Sequence, residues 1–140
     1  MDIEQRFQAY ASDFELAYAD DDWSRVGAHF SPDASYDAGD GSAPAFGRDA
    51  ILLKLKNAVD GLDRKMDKRD LRFHSVSSNA DVVTANWTIR FSRQGMPTLE
   101  VSGSEVARVA DSQIIELKSV IKEESLLTFA QWMDNHGDNL

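Results

Sequence analysis

The sequence predicts an α+β domain in which a curved antiparallel sheet and N-terminal helices form a cone around a cavity. Three observations carry this. Residues 2–62 repeat apolar side chains at helical spacing on either side of one short acidic strand. From Leu71 the apolar period changes to two and holds through four strand-like runs. A last amphipathic segment, Ser125 to Asn135, returns to helical spacing. Four consecutive antiparallel strands with helices kept to one side define the α+β class.

Each element has its own cause. Ile3, Phe7, Tyr10, Ala11, Phe14, Ala17 and Tyr18 form one apolar stripe, so residues 2–19 are predicted helical. Asp20, Asp21 and Asp22 end that helix and cap the next, because acids at a helix start satisfy free N–H groups and suit the dipole. Trp23, Val26 and Phe30 mark a short second helix that stops before Pro32. Ser31 to Asp37 is the early strand, and Ala38 to Pro44 is a loop by its breakers. Ile51, Leu52, Leu55, Ala58, Val59 and Leu62 give a third helix after Gly47. Residues 63–70 are almost wholly charged and read as a solvated connection.

Residues 71–78 form the next strand, with Asn79-Ala80-Asp81 as its hairpin turn. In the following strand Val83, Ala85, Trp87, Ile89 and Phe91 alternate with Thr84, Asn86, Thr88, Arg90 and Ser92, so one face is apolar and meets the helices. Residues 98–109 and 113–122 complete the run, separated by Ala110-Asp111-Ser112. Gly137 stops the final helix.

At 140 residues, with no linker, repeat or low-complexity tract, residues 1–140 read as a single domain. The formal net charge of −9 argues against nucleic acid or an anionic membrane as partner. The absence of cysteine excludes disulfides, thiol nucleophiles and cysteine metal sites. The acidic, helical N-terminus lacks the pattern of a signal peptide, and no apolar run reaches the ~20 residues a span requires. A cytoplasmic location is the expectation. His29, His74 and His136 have no ligand spacing, so no metal site is expected.

Two carboxylates are candidates for chemistry. Asp37 sits on the strand that enters the cone early and can act as a general base at its wall, or it is a surface acid on an edge strand. Glu105 shares a strand face with Val101, Gly103, Ala107 and Val109, which places a carboxyl among small and apolar neighbours. Phe14, Tyr18, Phe30 and Trp87 are either ordinary core or the wall of a pocket for a small apolar ligand.

Taken together, Asp22-Trp23 through Phe30-Ser31-Pro32-Asp33-Ala34, the helix start Gly47-Arg48-Asp49-Ala50-Ile51 and the Arg108 to Glu116 hairpin resemble the NTF2-like (cystatin-like) superfamily, in its SnoaL-like and ketosteroid-isomerase-like branches. The resemblance covers nearly the whole chain. It implies carboxylate acid/base proton transfer next to a carbonyl, without metal or organic cofactor, as in an isomerase or a polyketide cyclase. The family's protonated acid falls on Glu105. Its base falls near Asp37, although an ungapped match places it on Ala38. Its tyrosine falls on Phe14, with Tyr10 and Tyr18 one turn away. The acid/base residue of SnoaL-like cyclases falls near Lys122 and Glu123, and the Asp/His pair of dehydratase-like relatives would require Asp22 and His74. The alternative is a non-enzymatic ligand-binding or dimerisation module. The resemblance also implies a homodimer formed by the outer sheet face, through Thr84, Asn86, Ser102, Ser104 and Val106.

Overall fold

The computed structural model describes residues 1–140. Helix α1 runs Ile3–Asp20 and starts with a reciprocal cap. Asp2 Oδ1 accepts the Gln5 N–H at 2.8 Å, and Gln5 Oε1 accepts the Asp2 N–H at 2.9 Å. The helix ends where Asp21 turns left-handed, at φ 62°, and donates its N–H to Ala17 O. The Asp21 carboxylate then accepts the Trp23 indole N–H at 2.8 Å.

The second helix is shorter than its apolar spacing suggests. Helix α2 is a single turn, Ser24–Gly27, and Phe30 already belongs to strand β1, Phe30–Asp37. A two-residue strand, β2 (Ala45–Phe46), pairs antiparallel with β1 just after the loop and is too short to show a period in the sequence. Helix α3, Arg48–Gly61, follows, and its buried Ile51, Leu55 and Val59 keep the predicted stripe.

The charged stretch after α3 is not a solvated connection throughout. It holds one 3-10 turn, Asp63–Lys65, and then strand β3 begins at Lys68 and runs to Asn79. The reason is Arg69, which turns inward and finds two carboxylate partners. Strands β4 (Val82–Ser92), β5 (Leu99–Ala110) and β6 (Gln113–Ile121) continue an antiparallel meander. Asp111 and Ser112, both at positive φ, close the β5–β6 hairpin in the two-residue geometry that matches strand twist. Helix α4 is Glu123–His136.

The sheet order is β2-β1-β6-β5-β4-β3, and the sheet is curved and unclosed. It is not antiparallel throughout, because β1 lies parallel to β6. The main core packs α1 and α3 against β1, β4, β5 and β6, around Phe7, Phe30, Ile51, Val83 and Leu117. A smaller core gathers Met66, Phe91, Leu99, Val101 and Trp132 beneath α4. Trp87, Ile89 and Phe91 face the helices. The opposite face carries polar ladders that cross strands, His74–Thr88–Ser102 and Ser75–Asn86–Ser104, with contacts of 2.6–2.8 Å. No helix is long and apolar enough to cross a membrane.

Candidate functional site

Between α1 and the concave face of the sheet lies a cavity of about 170 Å³. Helix α1 supplies one wall through Phe7, Tyr10 and Phe14, which follow its i, i+3/i+4 stripe. The sheet supplies the other through Tyr36 of β1, Trp87 and Ile89 of β4, Glu105 of β5 and Ser119 of β6. Strand alternation puts these side chains on one face, and register brings them together. Glu105 sits opposite Ser119, and Trp87 sits opposite Gly103, two residues along β5.

Glu105 is the carboxyl of this inner wall. Ser119 Oγ donates to its Oε1 at 2.6 Å, and Oε2 has no partner within the chain. Burial pushes its pKa up to about 7, against the smaller opposing effects of the Ser119 hydrogen bond and of the Trp87 indole. The indole N–H is close enough to favour the ionised carboxylate, yet it falls short of a hydrogen bond and is left buried without a partner. Tyr10 and Tyr36 complete the polar end. Burial first, and the Glu105 charge second, raise the pKa of both phenols, so both keep their protons.

Arg69 marks the mouth. Its side chain is only 5% exposed, and it binds Glu15 and Asp63, each at 2.6 Å. Its guanidinium lies 4.9 Å from the ring centre of Tyr18 and 5.7 Å from that of Phe14. Burial raises the pKa of Asp63, with the Arg69 charge opposing. Glu15, Arg69, Leu71 and Phe73 line both the inner cavity and a wider outer groove of about 450 Å³ between α1 and β3. The inner cavity therefore opens toward solvent beneath the Glu15–Arg69 pair.

The residues singled out in the sequence separate into two groups. Glu105, Phe14 and Trp87 line the cavity. Asp37, Tyr18 and Phe30 do not. Asp37 departs from its expected place because alternation along β1, through buried Phe30 and Ala34, turns Tyr36 inward and Asp37 away. The Asp37 carboxylate instead accepts the Gly39 N–H at 2.9 Å and fixes the following loop. Asp37 and Glu105 therefore do not meet in one cavity. Phe30 is fully buried core, edge-on to Tyr10 at 5.5 Å, and Tyr18 stacks behind the wall against Arg69. His74 lies on the outer face, bonded to Thr88, so it makes no inward pair with Asp22. Tyr36, Ser119 and Arg69 were missed. Alternation centred on Ala34 and Tyr36 would have found the first.

A family model for the SnoaL-like domain matches residues 10–117. The chain belongs to that family, whose fold is NTF2-like. Among solved structures, an NTF2-like protein of unknown function from Burkholderia pseudomallei is 13% identical, with a TM-score of 0.72 over 94% of this chain and 98% of that one. A protein with a ketosteroid isomerase-like fold from Catenulispora acidiphila, in complex with trimethylamine, is 19% identical, with a TM-score of 0.67 over 91% of both chains. TerC, co-crystallised with polyporic acid, is 12% identical, with a TM-score of 0.70 over 92% and 98%. At these identities the likeness is one of fold. No protein of curated function matches the chain.

Proposed function

We propose that this protein moves a proton next to a carbonyl on a small apolar ligand, as a cofactor-independent isomerase or cyclase, with Glu105 as the general base. The observation that carries this reading is a carboxyl of pKa about 7 on an apolar cavity wall. A base titrating near working pH is ionised often enough to accept a proton and basic enough to pull it. Glu105 Oε2 takes the proton from the carbon beside the carbonyl. The C–H electron pair moves onto the carbonyl oxygen and forms an enolate. Tyr10 and Tyr36, both protonated and both on the wall, can donate hydrogen bonds to that developing charge. Where a carbon–carbon double bond is conjugated with the enolate, Glu105 returns the proton to its far carbon and completes an isomerisation. Attack of the enolate carbon on a second carbonyl, whose oxygen takes the proton back from Glu105, completes a cyclisation. Ser119 holds Oε1 and so orients the carboxylate.

Deuterium exchange into the methyl group of acetophenone in D2O tests the role of Glu105 without knowledge of the natural substrate. The protein should accelerate exchange, with a rate that rises with pH to a plateau above about 7. Glu105→Gln should lower the rate by at least ~100-fold. Equal exchange by the two proteins would remove Glu105 from the base role.

A further inference from the structure

The chain has three tryptophans, and two have their indole N–H groups satisfied. Trp23 donates to Asp21 Oδ1 at 2.8 Å, and Trp132 donates to the carbonyl oxygen of Pro97 at 2.8 Å. Trp87 Nε1 is buried and has no partner. A buried donor without an acceptor is unfavourable and rare in folded proteins. Here it is held in place. Trp87 faces Gly103 across the β4–β5 ladder, and a Cβ on Gly103 would lie 3.0 Å from the indole Cζ2 and 2.5 Å from Val120 O. Only a residue without a side chain lets the indole lie there against the sheet. The strands thus keep a place for a ring whose one polar atom lies near the Glu105 carboxyl but makes no hydrogen bond.

We propose that Trp87 Nε1 is an oxygen-recognising donor of the inner cavity beside Tyr10 and Tyr36, and that the substrate is a compact, neutral carbonyl compound built on a single ring. This deepens the proton-transfer reading and rests on it. Three further observations set the class. The ring size follows from volume, since a protein cavity of about 150 Å³ accommodates benzene and this one is about 170 Å³. Neutrality follows from charge. Arg69, the cation on the wall, is already matched by Glu15 and Asp63, and Glu105 adds a third acid, so an anionic ligand meets no free positive group. The placement of the carbonyl follows from register. Trp87 pairs with Gly103 and Ala85 with Glu105, so Trp87 and Glu105 are diagonal neighbours on one sheet face. One small molecule can put its oxygen on the indole and the adjacent C–H on the carboxylate.

Acetophenone, ethylbenzene and benzoate serve as probes, because they share a ring and differ in the acceptor and the charge. In a 15N–1H spectrum Trp87→Phe identifies the Trp87 indole signal among three. Acetophenone should move that signal downfield and slow its exchange with solvent, and ethylbenzene should do neither. By calorimetry acetophenone should bind roughly tenfold tighter than ethylbenzene and tighter than benzoate. Trp87→Phe removes wall area felt by every probe, and should cost acetophenone clearly more affinity than it costs ethylbenzene. An unshifted indole signal, equal affinities, tighter benzoate, a preference undiminished in Trp87→Phe, or no binding of any single-ring probe would each overturn the inference. The wild-type spectrum decides even if the variant misfolds. Failure of the Glu105 reading alone looks different: acetophenone still shifts the indole signal, while Glu105→Gln exchanges deuterium as fast as wild type.

Discussion

Replacing Glu105 by glutamine should make the protein more stable at pH 8 and leave its stability nearly unchanged at pH 4. The folded protein holds the Glu105 proton up to about pH 7, against an ordinary value of 4.5 in the unfolded chain. The folded state therefore binds the proton more tightly. Wild-type stability is unaffected by this group below about pH 4.5, falls as pH rises through the interval, and reaches its full loss above about pH 7. At 1.36 kcal/mol per pH unit the loss amounts to about 3 kcal/mol. Glutamine has nearly the same shape, and its side-chain oxygen can still accept from Ser119. It carries no charge to desolvate. Urea unfolding of both proteins between pH 4 and 8 isolates the effect, because every other group is common to the two. The stability difference should grow from near zero to about 3 kcal/mol, or on the order of 10 °C in Tm. A difference that stays flat across the range would mean an ordinary, solvated carboxylate, and the acid–base reading would lose its physical basis.

Two further outcomes follow from the geometry. Arg69→Ala removes the cation that neutralises the buried Asp63 carboxylate, whose side chain is 14% exposed, and should destabilise the fold by about 3–5 kcal/mol in urea unfolding; adding Asp63→Asn should recover part of that loss. Asp37→Asn should change stability by no more than about 0.5 kcal/mol, since asparagine can still accept from the Gly39 N–H, and should leave deuterium exchange at the wild-type rate; a large loss of exchange would return Asp37 to the mechanism.

Periodicity carried most of the fold because burial on one face leaves its mark directly in the sequence. The α1 stripe and the strict alternation of β4 are such marks. The same logic placed Glu105, since its neighbours at two-residue spacing are all small or apolar. Asp37 was misplaced for an identifiable reason. Its role as base came from the family resemblance, whereas alternation through Phe30, Ala34 and Tyr36 turns it outward. Arg69 was illegible for a different reason. An arginine in a charged run reads as solvated unless its partners are known, and Glu15 lies far off in sequence on α1. The site is therefore partly a tertiary fact. Tyr10 was visible as part of a stripe, but its relation to Glu105 was not.

The parallel pairing of β1 with β6 bears on how the protein acquires its shape during synthesis. Phe30 pairs with Ile114, so β1 leaves the ribosome long before the strand that will hold it. Until β6 arrives, β1 and β2 have no neighbour on that side, and the β3–β4–β5 meander ends in an open edge at β5. Contacts this distant in sequence are slow to close. Insertion of β6 joins the two halves, and in the same event it brings Ser119 to Glu105 and sets Tyr36 across from them. The polar end of the cavity thus forms only once β6 is in place, and a nascent chain lacking β6 carries every other wall residue but no organised site.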